Sequence, residues 1–233
     1  MKISLVIPCY NEADNVAEFH RIATETFASS NYEYEFTFIN DGSKDNTLNI
    51  LKELYEKDTK HVNVVSFSRN FGKESAIYAG LNNVSGDYIT IIDADLQQRP
   101  ELVLDMLQIL EQDETLDCVA AYQEERHEGA ILKMFKNLFY KFINKVSEVE
   151  FRSGASDFRT MRKAMADAIL QLPEYHRFSK GIFSWVGFNT YYMPYVAEER
   201  FSGSSKWSFL SLFKYAINGI VAFTVSPLKI ATF

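Results

Sequence analysis

The chain is poor in cysteine and carries no excess of positive charge. Its 233 residues include only two cysteines, Cys9 and Cys118, which predicts reduced thiols in the core of a cytoplasmic protein rather than a disulfide framework. The formal net charge of −7 argues against general binding to nucleic acid. A leader peptide is not expected, because residues 1–8 already have the pattern of a strand.

Two nucleotide-binding signatures are also missing. No Gly-x-Gly-x-x-Gly follows the first predicted strand, and Gly-Lys-Ser/Thr occurs nowhere in the chain. These absences disfavour a dinucleotide-dependent oxidoreductase and a P-loop NTPase. The chain has no internal repeat and no low-complexity linker, and its length suits one large α/β domain with a modest appendage.

Short apolar runs alternate with helical segments as far as residue 122, which is typical of βαβ units with a mainly parallel sheet. The predicted fold class is therefore α/β, in a doubly wound nucleotide-binding arrangement. The predicted strands are Ile3–Pro8, Glu35–Asn40, Val62–Phe67, Tyr88–Asp93 and Asp117–Tyr122. The predicted helices are approximately Asn15–Ala28, Asp45–Lys57, Lys73–Asn82 and Glu101–Glu111.

The most informative polar residues follow the fourth predicted strand. Asp93 and Asp95 are two positions apart, so on an extended chain they face one side, and Gln97 adds an amide oxygen. Oxygen ligands at the carboxyl end of a strand suit Mg²⁺ or Mn²⁺, and ligands bind open α/β sheets at that end. The alternative interpretation of an isolated Asp-x-Asp is a solvated acidic turn.

A second candidate lies at the start of the third predicted helix. There Gly72 and Lys73 can offer backbone N–H groups and a cation to a phosphate, although the same pair is also common in ordinary turns.

Six motifs follow one another along the chain: Val6-Ile7-Pro8-Cys9-Tyr10-Asn11-Glu12, Asn40-Asp41-Gly42-Ser43-Lys44-Asp45, Phe71-Gly72-Lys73-Glu74, Asp93-Ala94-Asp95-Leu96-Gln97, Ser156-Asp157-Phe158-Arg159 and Arg200-Phe201-Ser202-Gly203-Ser204-Ser205-Lys206. In this order they resemble the motifs of family-2 glycosyltransferases of the GT-A fold. Within that family the chain is most similar to the polyisoprenyl-phosphate enzymes, a group that includes dolichol-phosphate mannose synthase and the bactoprenol glucosyltransferases. It departs from the family pattern at Asn40 and at Gln98-Arg99, where Asp is commoner.

The resemblance implies a nucleotide-sugar donor and a divalent metal. Asp95 and Gln97, with Asp93 facing either the ribose or the metal, would coordinate Mg²⁺ or Mn²⁺ bridging the diphosphate, because a departing nucleoside diphosphate gains negative charge. Arg200 and Lys206 would close over the phosphates, unless their segment is an ordinary solvated loop. The predicted nucleotide-sugar-binding residues are Pro8, Tyr10, Glu12, Asp41, Lys73, Asp93, Arg200 and Lys206.

Two segments of the second half suggest a membrane surface. Residues 131–146 alternate aromatic and lysine positions as an interfacial amphipathic helix does, although such a helix can also pack on a sheet. Residues 207–233 form a largely apolar segment, predicted as a membrane-proximal helix that precedes transmembrane segments in the resembling family. It is equally a candidate subunit interface for a homo-oligomer. The predicted catalytic domain is 1–206.

The acceptor implied by the resemblance is a polyprenyl phosphate at the cytoplasmic face of a bacterial membrane. Arg126, Lys133 and Lys136 are the candidates for binding its phosphate. Asp157, with Arg159 beside it, is the candidate catalytic base, and Arg159 and Asp93 are the other residues predicted to be catalytic. Because a phosphate monoester is already anionic, Asp157 alternatively orients the acceptor or the sugar.

The predicted reaction is inverting transfer of a hexose, with UDP-linked glucose or N-acetylglucosamine favoured over GDP-mannose. Three alternatives stay open: a family-2 transferase with a saccharide acceptor, a nucleotidyltransferase that releases pyrophosphate, and a non-catalytic membrane-docked scaffold.

Overall fold

The computed structural model describes residues 1–123, 155–172, 174, 177–198 and 201–202. Every strand and helix predicted in the first half is present, with ends that differ from the prediction by at most two residues. The strands are β1 (Lys2–Cys9), β2 (Glu33–Asn40), β3 (Val62–Ser66), β4 (Tyr88–Ile91), β5 (Cys118–Gln123), β6 (Ala155–Arg162) and β7 (Thr190–Tyr195). The helices are α1 (Val16–Ala28), α2 (Thr47–Lys57), α3 (Lys73–Asn82), α4 (Glu101–Gln112), α5 (Lys163–Leu170) and α6 (Ser179–Trp185).

The seven strands form one sheet in the order β3-β2-β1-β4-β6-β5-β7. Strands β1 to β4 pair with one another in parallel, and β5 pairs in parallel with β7, which confirms the predicted mainly parallel α/β sheet. Strand β6 is antiparallel to both β4 and β5, and the sequence did not predict it. Ile91 pairs with Arg159, so the beginning of β6 lies beside the carboxyl end of β4.

Helices cover both faces of this sheet over two apolar cores. On one face, aromatic side chains of α1 and β2, such as Phe19 and Phe38, pack edge to face at 6.2 Å. On the other face, α3, α5 and α6 contribute Ile77, Ile169 and Phe183. A fully buried side chain of this kind contributes about 2 kcal/mol, so the two cores supply the main stabilisation of the sheet.

Helix α3 lies close to the sheet because of one glycine. A Cβ built at Gly80 would be 2.2 Å from Cγ1 of Val6 and 2.9 Å from Cδ1 of Ile39. A larger residue would therefore lift α3 away from β1 and β2. The close contact fixes the height of the amino end of α3, which carries Lys73, above the sheet.

Both cysteines are free thiols in the core, as predicted. Within the described ranges, no helix combines the length and the apolar character that crossing a bilayer requires. The predicted amphipathic helix 131–146 and the apolar segment 207–233 lie outside the described residues, so their placement stays a prediction.

The amino edge of the sheet, far from the predicted site, is held by the carboxylate of Glu35. It accepts hydrogen bonds from Lys2 Nζ at 2.6 Å, Ser4 Oγ at 2.5 Å and the Ser85 amide at 3.1 Å. Burial by itself raises the pKa of Glu35, but these donors outweigh it and the pKa is lowered. The ionised carboxylate therefore stabilises the fold at neutral pH.

We expect Glu35→Gln to lower the free energy of unfolding by about 2 kcal/mol at pH 7, because a charged acceptor is lost from a buried network. Since the folded pKa lies below the unfolded value, this stabilisation is present above about pH 4.3 and disappears as the pH falls through the folded pKa. Urea denaturation at pH 7 and pH 3 measures both effects. Glu33→Gln, at an exposed position of the same strand, is the control. Equal destabilisation by both variants would contradict the assignment.

Candidate active site

The polar residues predicted to form a site do meet at one edge of the sheet. The loops after β1, β2 and β4 leave the carboxyl edge, and the antiparallel course of β6 brings Asp157 to the same place. Two non-glycine residues in these loops have left-handed backbone angles, Asn11 with φ of 54° and Leu96 with φ of 61°. Left-handed leucine is strained, and such strain concentrates at functional sites.

The centre of the site is a lysine held between two carboxylates. Lys73 Nζ is 2.7 Å from Oδ1 and 2.9 Å from Oδ2 of Asp93, and 3.1 Å from Oδ2 of Asp157. The Lys73 and Asp93 side chains are each 32% exposed and that of Asp157 is 14% exposed, so the cluster opens to solvent on the Asp93 side. The predicted residues Lys73, Asp93 and Asp157 are thus brought into direct contact.

Charge pairing sets the protonation of this cluster. Burial by itself raises the pKa of Asp157, but the positive charges of Lys73 and Lys180 outweigh burial and lower it. Burial likewise opposes the charge of Lys73, yet Asp93 and Asp157 raise its pKa. Asp157 is therefore ionised and Lys73 protonated at neutral pH. Oδ1 of Asp157 is buried and has no hydrogen-bond partner among the described residues.

Asp41 holds the loop that leads into α3. It is 3% exposed and accepts hydrogen bonds from the Phe71 amide at 2.7 Å, the Gly72 amide at 2.9 Å and Asn70 Nδ2 at 2.9 Å. Burial raises the pKa of Asp41 even though these amides favour its ionised form. The contacts fix the start of α3, while the base or ribose contact predicted for Asp41 stays a prediction.

The loop after β1 is joined to the loop after β2. The Asn11 amide donates to Ser43 Oγ at 3.0 Å, and the Glu12 amide donates to Thr47 Oγ1 at 2.8 Å. The other predicted nucleotide-binding residues, Pro8, Tyr10 and Glu12, are half-buried on this side of the site.

The two departures from the family pattern have structural roles. Asn40 uses both ends of its amide, accepting from the Ser43 amide at 3.2 Å and donating to Ser66 Oγ at 2.9 Å. Gln98 is buried, and its Oε1 accepts from the Asp93 amide at 3.0 Å, which fixes the backbone of the predicted metal ligand.

The predicted metal ligands Asp93, Asp95 and Gln97 are half-buried neighbours on the loop after β4. The Gln97 amide donates to Asp95 Oδ1 at 3.2 Å, and Gln97 Nε2 lies 3.4 Å from the Glu198 carbonyl oxygen. Two carboxylates and an amide oxygen form a donor set that fits a hard divalent cation with room for phosphate oxygens. The residues therefore fit Mg²⁺ or Mn²⁺.

Arg159 differs in its contacts from the other predicted site residues. It is 4% exposed, its Nη2 donates to the Ser156 carbonyl at 2.9 Å, and its guanidinium lies 3.6 Å from the ring centre of Phe183. These contacts make Arg159 a positioning residue that holds the backbone around Asp157. The catalytic role predicted for it is not supported by them and stays a prediction.

Sequence reasoning missed the part played by α6. Glu74 Oε2 accepts hydrogen bonds from both the amide and the hydroxyl of Ser179, which ties the first turn of α3 to the start of α6. This places Lys180 where its charge acts on Asp157. Glu74 lies in one of the family motifs, so the sequence offered a sign of its importance. Nothing in the local pattern singles out Lys180.

Five predicted residues lie outside the described part of the chain. They are Arg126, Lys133, Lys136, Arg200 and Lys206.

With this geometry established, comparison with known proteins shows the family. The sequence profile of glycosyl transferase family 2 matches residues 4–170. The chain belongs to glycosyl transferase family 2. It is 42% identical over 228 residues to the putative glycosyltransferase CsbB of Bacillus subtilis (strain 168), covering 98% of this chain and 68% of that protein. It is 39% identical over 234 residues to the bactoprenol glucosyl transferase of Shigella phage SfV, covering all of this chain and 75% of that protein.

Two solved structures of sugar-transferring enzymes have a similar fold. Glucosyl-3-phosphoglycerate synthase from Mycobacterium tuberculosis, in complex with Mn²⁺, UDP-glucose and phosphoglyceric acid, superposes with a TM-score of 0.59 at 17% identity over 97% of this chain and 81% of that one. The mannosyltransferase PcManGT from Pyrobaculum calidifontis, in complex with GDP-mannose and Mn²⁺, gives 0.60 at 17% identity over 87% and 58%. The chain is therefore a glycosyltransferase with the GT-A fold.

We expect Asp41→Asn to free one of the amides of Phe71 and Gly72 and to weaken the bond to the other, because an amide side chain offers one neutral acceptor oxygen where the carboxylate offers two charged ones. Hydrogen exchange at the freed amide should become faster by about tenfold or more, corresponding to the loss of a charge-assisted hydrogen bond. NMR or mass spectrometry of exchanged protein measures the rate.

The control is Asp87→Asn at the opposite sheet edge, where the carboxylate accepts from the Lys2 amide at 2.8 Å. This variant should leave exchange at Phe71 and Gly72 unchanged. Unaltered protection in Asp41→Asn would show that Asp41 does not hold the loop.

Proposed function

We propose that this glycosyltransferase moves glucose, or N-acetylglucosamine, from a UDP-sugar to a polyprenyl phosphate, with inversion at the anomeric carbon. The observation that carries the proposal is the ion cluster at Asp157. A carboxylate that pairs with Lys73 at 3.1 Å, and whose pKa is lowered by the charges of Lys73 and Lys180, is a poor base in a cationic environment. Such a site suits an acceptor that is already anionic.

The donor side rests on the loops of β1, β2 and β4. Pro8, Tyr10, Glu12 and Asp41 would hold the base and ribose, and Asp93, Asp95 and Gln97 would hold Mg²⁺ or Mn²⁺. When bound, the metal would offset the charge that develops on the leaving diphosphate. Support comes from the donor set itself and from the Mn²⁺ and UDP-glucose present in the synthase of similar fold.

The transfer needs no external base, because the attacking phosphate oxygen carries no proton that must be removed. An oxygen of the acceptor phosphate forms a bond to the anomeric carbon from the side opposite the nucleotide. The bond between that carbon and the diphosphate oxygen breaks, and its electron pair leaves with the nucleoside diphosphate. Lys180 and Lys73 would hold the incoming phosphate, and Asp157 would orient it or the sugar.

Two alternatives fit less well: a saccharide acceptor and a non-catalytic scaffold. A saccharide hydroxyl must lose its proton during attack, which favours a base with a pKa near the working pH, and the lowered pKa of Asp157 does not provide one. A non-catalytic membrane-docked scaffold would have no need for the Lys73 cluster or for the ordered Asp93–Gln97 loop. The bactoprenol glucosyl transferase name of the relative from phage SfV also favours the lipid phosphate.

Association with the cytoplasmic face of the membrane follows from this acceptor. Segments 131–146 and 207–233, Arg126, Lys133 and Lys136 would contribute the contact with lipid, and Arg200 and Lys206 would close over the donor. A homo-oligomer through 207–233 is the alternative use of that segment. These assignments rest on the sequence.

The first test is calorimetric titration of UDP and of GDP, with and without Mn²⁺. We expect metal-dependent binding of UDP, and loss of that binding in Asp95→Asn by about tenfold or more, because one anionic ligand is removed. Asp105→Asn, at an exposed position of α4, is the control for the same charge change. Preference for GDP would indicate mannose, and no binding of either nucleotide would contradict the proposal.

The second test concerns the acceptor. We expect Lys180→Gln to raise the KM for a short-chain polyprenyl phosphate by about tenfold, with little change in the KM for the donor, because one charge-assisted contact to phosphate is lost. Lys163→Gln, on the opposite edge of the sheet, is the control. An unchanged acceptor KM would remove Lys180 from the acceptor site.

A further inference from the structure

Lys73 is bound to the carboxylate of a proposed metal ligand. Its ammonium contacts both carboxylate oxygens of Asp93, at 2.7 and 2.9 Å, and also Oδ2 of Asp157. Asp93 is one of the proposed metal ligands, and a divalent cation bound there would face the ammonium at close range. The two cations therefore compete for the oxygens of Asp93.

We propose that Lys73 is a positioning residue that holds Asp93 and Asp157 together before the donor binds, and that the metal–nucleotide displaces its ammonium from Asp93 toward Asp157. This inference rests on the metal site of the proposed function. It adds an order to the reaction: the metal enters with the nucleotide, and the displaced ammonium then faces the acceptor phosphate.

The surroundings of Lys73 allow such a shift. Its side chain is about one-third exposed, and Oδ1 of Asp157 has no hydrogen-bond partner among the described residues, so this oxygen can accept the displaced ammonium. The helix beneath it is fixed by the close approach of Gly80 to β1 and by the bonds from Ser179 to Glu74. The side chain can therefore move while α3 stays in place.

The arrangement also explains how two carboxylates can lie close together. Asp93 and Asp157 would repel each other if both were ionised and unpaired. The ammonium between them removes this repulsion, and Asp157 keeps the charge that the acceptor side uses. Displacement from Asp93 leaves Asp157 paired with the same lysine.

The test is a titration of Mn²⁺ alone, without nucleotide, followed by the electron paramagnetic resonance signal of free Mn²⁺. For the native chain we expect weak binding that UDP strengthens. Lys73→Met should bind Mn²⁺ alone at least about tenfold more tightly, because the competing cation is gone. Lys73→Gln, which can still hydrogen-bond to both carboxylates, should change affinity in the same direction, and Lys73→Arg should bind weakly like the native chain.

Lys163→Met carries the same charge change far from the site and should leave Mn²⁺ affinity unchanged. Equal or weaker Mn²⁺ binding by the folded Lys73→Met and Lys73→Gln proteins overturns this inference. It leaves the proposed metal site intact, because that site would still bind Mn²⁺. Failure of the native chain to bind Mn²⁺ even with UDP overturns the proposed metal site and the inference together.

Discussion

The pairing of Lys73 with Asp93 and Asp157 is the contact on which the site depends. It joins three elements that are far apart in sequence: the start of α3, the loop after β4 and the start of β6. Two buried or half-buried acids are tolerated there only because a cation lies between them. The same contact lowers the pKa of Asp157, which makes the cluster better suited to an anionic nucleophile than to a hydroxyl.

A second set of contacts supports this cluster from behind. Asp41 fixes the residues just before Lys73, and Glu74, just after it, binds the start of α6. Helix α6 in turn places Phe183 against Arg159, whose guanidinium holds the backbone next to Asp157. The chain thus fixes both sides of the ion cluster through residues that need not touch a substrate. Some charged residues of the motifs therefore form the ion cluster, and others hold that cluster in position.

The sequence predicted the parallel half of the fold well because each βαβ unit is local. Alternating apolar runs and helical segments gave the strands and helices up to β5, and the carboxyl ends of those strands necessarily met at one edge. The motif at Asp93 and Asp95 was therefore placed correctly. The pairing of Asp157 with Lys73 was not predicted, because it depends on β6 running antiparallel between β4 and β5. Lys180 was missed for a similar reason, since its position depends on the docking of α6, and the burial of Arg159 followed from the same packing.

The insertion of β6 has a consequence for the precision of the site. Strand β6 pairs with β4 on one side and with β5 on the other, so main-chain hydrogen bonds on both sides set its register. A slip of one residue would turn every side chain of β6 to the opposite face of the sheet and would take Asp157 away from Lys73. The geometry of the ion cluster is therefore tied to the register of a central strand and not to the conformation of a loop.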